Sequence, residues 1–226
     1  MLRGPTIFTA LAALLGSSTG SAKPSDDRRA VERRAALESL ADCYLRADGK
    51  NIERVLLADP QTGEFQRWAG KYKTDIAACW THVLKKHQVW LENEGEVVRY
   101  ALAEGILRRR PEGVALTDLD RVAPLSQGLP KKPTTFDRAA LYLSVLSECV
   151  LRANAETSRR LLSSKASSPE EGKAFSELTP AISGCVDQSQ NVSLDRESFR
   201  GALALNYLRL ARAPRQAAPI PAGAEK

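Results

Sequence analysis

The 226 residues are 43% hydrophobic and 27% charged, ordinary for a globular chain long enough for one large domain or two small ones. Aromatics are sparse at 6% while Ala and Leu are plentiful, which favours helix over sheet. The formal net charge of +6 is spread along the chain with no basic stripe interleaved with aromatics, so it suits acidic surfaces and excludes a nucleic-acid footprint.

Residues 1–22 read as a secretory signal peptide. Arg3 is the basic start, Ile7 to Leu15 the apolar run, and Gly20 and Ala22 the small residues before the cleavage point. The run is too short to span a bilayer; the alternative is an uncleaved N-terminal anchor. Cleavage would start the mature chain near Lys23, remove only Arg3 among charged residues, and leave a net charge of +5. This places the protein in the periplasm or outside the cell, with no transmembrane segment after cleavage.

The first mature helix carries Leu37, Leu40, Ala41, Tyr44 and Leu45 on one face. Asp42 and Arg46 stand four apart in the order that suits a surface ion pair. Asp48 is a cap residue that ends this helix and starts a short second one bearing Val55 to Leu57. Trp68, Tyr72, Ile76 and Trp80 mark a third helix. Val97, Val98, Ala101, Leu102, Gly105 and Ile106 mark a fourth.

A shift of 106 residues then repeats the sentence. Leu37 meets Leu143, Leu40 meets Leu146, Leu45-Arg46-Ala47 meets Leu151-Arg152-Ala153, and Arg54 meets Arg160. Cys43 meets Cys149 and Cys79 meets Cys185. After a five-residue gap, "RYALAEGILR" from Arg99 meets "RGALALNYLR" from Arg200. The pattern predicts an all-α fold made by tandem duplication of a four-segment helical unit, with pseudo-symmetry. Unit 1 spans 23–110 and unit 2 spans 136–212. A Pro-rich connector, 111–135, joins them, with "LTDLDRV" as one helical turn. A disordered Pro- and Ala-rich tail fills 213–226. In unit 2, Asn154 matches Asp48, and Ser168-Pro169-Glu170-Glu171 opens the third helix with a capping box. Each stripe must be buried within its unit or between units; one cysteine pair per unit favours the first, in which case residues 136–212 fold alone, and in the second the fragment would aggregate or stay molten.

Four cysteines allow three connectivities, and the duplication favours Cys43–Cys79 and Cys149–Cys185, one bridge in each unit. Each loop would gain roughly 4 kcal/mol of stability from the lost freedom of the unfolded chain. A metal or redox role lacks support: "CWTH" puts His82 one turn from Cys79, but Cys185 has no histidine near it, and no C-x-x-C occurs. The sequence implies no cofactor.

No catalytic constellation stands out. Glu92, Glu94 and Glu96 form an acidic run better explained as a solvated helix start than as paired catalytic carboxylates. Asn191-Val192-Ser193 fits a glycosylation sequon, or Ser193 is a helix cap. The candidate binding surface comprises Arg46, Arg54, Arg152 and Arg160, as two anion-recognising patches, and Trp90, which would anchor a partner if exposed. Ion pairing along helix surfaces is the plainer reading of the arginines.

With the signal peptide and the doubly written "C-[YV]-L-R-A…R-x-L-L…C", the chain resembles a group of uncharacterised exported proteins of Gram-negative bacteria. The resemblance implies export and tandem helical units, and carries no activity. The expected function is that of a non-catalytic helical binding or structural protein of the cell envelope, with an unknown protein or envelope component as partner. The alternatives are an envelope hydrolase using carboxylates of unit 1, or a carrier of a small anionic ligand held between the units.

Overall fold

The computed structural model describes residues 24–58, 63–64, 67–68, 77–87, 95–110, 116–125, 135–186 and 194–215. The expected signal peptide, Trp90, Glu92, Glu94, the sequon and the tail beyond 215 lie outside these residues.

The described chain is helical and contains no strand. Its helices are α1 (Pro24–Leu57), α2 (Ala77–His87), α3 (Gly95–Arg109), α4 (Thr135–Ala153), α5 (Ala155–Ser163), α6 (Pro169–Cys185) and α7 (Arg196–Arg212). The expected break at Asp48 is a kink inside α1, with φ −152° and ψ 45°. Its carboxylate accepts from Asn51 Nδ2 at 2.8 Å. Asn154 has nearly the same φ, −153°, and its side chain accepts from Thr157 N. At Asn154 the short polar side chain offers a backbone amide an alternative to the helical ladder, while at Asp48 it pairs with the Asn51 side chain.

Ser168 caps α6 by accepting from Glu171 N at 3.2 Å, with Pro169 in the first turn. The returning arm of the box differs from expectation by one residue: Glu171 Oε2 accepts from Ser167 N. Ser167 takes positive φ, and its amide comes within reach of that carboxylate.

Both disulfides form as the spacing suggests. Cys43–Cys79 ties α1 to α2, and Cys149–Cys185 ties α4 to the end of α6. No cysteine is left free. Trp68 is buried and meets Tyr44 edge-on, with ring centroids 6.1 Å apart. Trp80 packs against the core from its margin; its expected stripe-mates Tyr72 and Ile76 lie outside the described residues.

The centre of the molecule is α7, in which every residue from Phe199 to Leu208 is buried. A helix buried all round needs partners on every side. It packs along α3 and α4 and touches α1 and α5. The approach to α3 is close: a Cβ on Gly201 would stand 2.3 Å from Tyr100 Cβ. Leu37, Leu40, Leu45, Leu146, Leu151 and Leu203 therefore belong to one continuous apolar core. Leu143, the counterpart of Leu37, is only partly buried. The core thus crosses between the two sequence units, where the stripe pattern allows either arrangement and the cysteine pairs favour a core within each.

The connector is fastened rather than loose over 116–125. It makes a 3-10 turn at Leu119–Arg121 and buries Val122. Glu148 accepts from Leu125 N at 3.0 and 3.1 Å. Arg152 donates to the carbonyls of Leu119, Val122 and Ala123.

Candidate functional site

Where α1, α3 and α7 meet, charged side chains converge on the seam between the two sequence units. Arg200, 2% exposed, spends all three guanidinium nitrogens on the protein. Its Nε donates to Glu104 at 3.1 Å; Nη1 donates to Glu171 at 2.7 Å, to Leu161 O and to Ser164 Oγ; Nη2 donates to Leu162 O and Ser164 O. The same Glu104 oxygen accepts from Arg34 Nη2 at 2.9 Å. One buried carboxylate on α3 thus joins α1 to α7. A charge can be buried here because each is paired and hydrogen-bonded.

In front of this network opens a cleft. Arg33, Arg34 and Arg108 contribute cations to its wall, and Glu38, Glu104 and Glu197 contribute acids. Leu37, Val97, Tyr100 and Ala101 make an apolar floor. Burial pushes the Glu197 carboxyl above its ordinary range; Asp195 and Glu104 push the same way, and Arg33 and Arg34 oppose. Burial, with the charge of Glu96, also pushes the Tyr100 phenol up, so it is a neutral hydroxyl. The arrangement can hold a polar group by charge and an apolar group by contact. The Ser198 hydroxyl also lines it, beside the Asp195 carboxylate.

Of the arginines singled out from sequence, three are engaged away from the cleft. Arg54 pairs with Glu64 at 2.9 Å, and Arg160 pairs with Glu177 at 2.7 Å while donating to Thr157. Arg152 holds Glu148 at 2.8 Å as well as the connector carbonyls. Arg46 is exposed. The expected Asp42–Arg46 pair does not form. Asp42 instead faces Arg109 at 3.5 Å and Arg108 at 3.9 Å, because α3 packs along α1 and brings two arginines to it. Glu96 is held by Arg99 at 2.6 Å, which leaves it poorly suited to acid–base work. His82 is exposed, and His87 Nε2 lies 3.0 Å from Ser39 Oγ. Among the described residues no group of His, Cys, Asp and Glu could hold a metal, and no helix is long and apolar enough to cross a membrane.

Sequence reading missed Arg34, Glu104 and the cleft. One signal was present: Glu104 interrupts the apolar series "ALAEGIL", an acid where a buried stripe should run. A buried acid implies a buried cation, and only the fold reveals that Arg34 and Arg200 supply it.

No family model matches this chain, and neither curated proteins nor solved structures provide a match.

Proposed function

We propose that this chain is an exported, non-catalytic helical protein of the cell envelope that works by binding, with the seam cleft as its recognition surface. The observation that carries the reading is the cleft itself. It lies between the units and combines an apolar floor with guanidinium groups, one of which, Arg34 Nε, is buried and donates no hydrogen bond. Export is supported by the two closed disulfides, which form and persist in oxidising compartments. A role in binding rather than hydrolysis is supported by Arg200, Glu104 and Glu171 being bonded to one another and by Glu96 being tied to Arg99. The tandem duplication fits the reading, since the cleft then lies at the junction of two like units.

The test uses immobilised protein and an envelope extract from the source cells. A species retained by the wild type should be lost with Arg108→Glu, which reverses charge on the cleft wall at a partly exposed side chain. It should persist with Arg160→Glu, outside the cleft. Retention indifferent to Arg108, or no retained species, would overturn the proposal. N-terminal sequencing of protein from its own host should begin at or near Lys23; an intact Met1 would contradict export.

A further inference from the structure

The charges on the cleft wall are not equally available to a ligand. Glu104 is already shared by Arg34 at 2.9 Å and Arg200 at 3.1 Å. Glu197 is shifted by burial toward its neutral form, and the charge of Arg33 acts on it and on Asp195. That leaves Glu38 as the acid between two further donors. It stands 3.9 Å from Arg34 Nε and 3.9 Å from Arg108 Nη1, while Arg108 Nη2 faces Asp42 at 3.9 Å. All three distances exceed hydrogen-bond reach. Arg34 Nε is buried without an acceptor, so a donor taken out of water there goes unused. The Glu38 side chain remains substantially exposed and can swing away.

We infer that the cleft receives a short aliphatic monocarboxylate, whose head bridges Arg34 Nε and Arg108 in place of Glu38 and whose tail lies on Leu37, Val97 and Ala101. Charge-assisted bonds from guanidinium to carboxylate are the strong kind, and a carboxylate supplies the acceptor that Arg34 Nε lacks. Size fits as well: the cleft has about 20 Å³ of room, space for roughly one or two waters, which suits a short ligand. Glu38 acts as an intramolecular placeholder whose negative charge offsets the repulsion between the two guanidinium groups. This assignment rests on the binding-protein reading and gives its cleft a ligand class.

The experiment titrates butyrate into the folded full chain by calorimetry and by amide chemical shifts, with butyramide and butylamine as probes of charge. Butyrate should bind with about millimolar affinity, as expected of so few atoms, while butyramide and butylamine should not bind. Glu38→Gln should tighten butyrate several-fold by removing the competing charge. Arg34→Lys keeps a cation beside Glu104 but deletes Nε, and should weaken butyrate about tenfold. Arg108→Gln should weaken it similarly and keeps the test informative if Arg34→Lys disturbs folding. Butyrate that fails to bind, binds no better than butyramide, or ignores Glu38→Gln would overturn the assignment. Tighter binding of acetyl-Ala-Ala as the free acid than of butyrate, lost in its amide, would overturn the free-acid source in favour of a polypeptide C-terminus. If butyrate fails while envelope capture still depends on Arg108, the carboxylate assignment falls and the binding reading stands. If butyrate binds as described and nothing is captured, the envelope partner falls instead.

Discussion

Replacing Arg200 by Leu removes the centre of the seam. The substitution leaves Glu104, 8% exposed, with Arg34 as its remaining cation, and strips Glu171 of its 2.7 Å partner. Removing one member of a buried ion pair costs about 3–5 kcal/mol, because the other charge stays buried and uncompensated. The carbonyls of Leu161, Leu162 and Ser164 also lose a charged donor, at roughly 1 kcal/mol or more each where water cannot replace it. These losses overlap, so the total should be about 4–6 kcal/mol, against a stability of order 5–15 kcal/mol for a domain. Urea unfolding at pH 7, followed by circular dichroism, measures it. The companion triple change of Arg200, Glu104 and Glu171 to Leu should recover part of the loss, since only Arg34 then lacks its partner, and Glu38 remains 3.9 Å from it. The exposed pair Arg160–Glu177 sets the scale: Arg160→Ala should cost no more than about 1 kcal/mol. A loss below about 1 kcal/mol for Arg200→Leu, or a triple variant worse than the single, would refute the account of the seam as a cooperative buried network.

Changing Cys149 and Cys185 together to Ala should lower stability by roughly 4 kcal/mol on the loop-entropy account, read as a shift in urea midpoint without reducing agent. Glu197→Gln should stabilise the protein at pH 7. Burial raises the folded-state pKa above the unfolded value, so the charged form carries a penalty at neutral pH that disappears as pH falls through the folded pKa toward the ordinary 4.5. The gap between wild type and variant should therefore close on acidification, and a gap constant with pH would contradict this. Gly201→Ala brings a Cβ within 2.3 Å of Tyr100 and should cost about 1–3 kcal/mol through the shift of α7 from α3; an unchanged melting temperature would sink that claim. The isolated fragment 136–212 should bind hydrophobic dye and unfold without a sharp transition, since α7 loses the cover of α3. A cooperative melt of the fragment would show that the shared core is dispensable.

What was legible in the sequence was local or periodic. Asp48 and Asn154 announce helix breaks because their side chains compete for nearby amides, and Ser168-Pro169-Glu170-Glu171 announces a helix start for the same reason. Cys43 and Cys79 fall one pair to a repeat, which suffices to favour the connectivity. The seam was illegible because it is made of residues far apart in sequence whose local setting is ordinary. Arg200 lies in the second turn of α7 and reads as a surface arginine; only the approach of α3, α5 and α6 encloses it. Arg152 reads as a helix-surface partner of Glu148, with a place in one of two anion patches as the alternative. Its acceptors at Leu119, Val122 and Ala123 lie in a connector whose path no periodicity describes. Asp42 had a suitable partner four residues on, yet α3 delivers Arg108 and Arg109 to it, so a tertiary contact displaced the helical one.

The contact of Tyr100 with Gly201 bears on which helices can pair at all. The repeat equates these two positions, since "RY" at Arg99 aligns with "RG" at Arg200. Two like helices meeting at equivalent points could in principle associate with their own kind on another molecule, joining chains end to end. Here the equivalent points are a bulky ring and an empty place. Two copies of α3 would set ring against ring, and two copies of α7 would enclose a void, and both cost free energy. Only the mixed pair fits. The Tyr100 ring thus fills the place that the missing side chain of Gly201 leaves open, which makes the α3–α7 contact close within the chain.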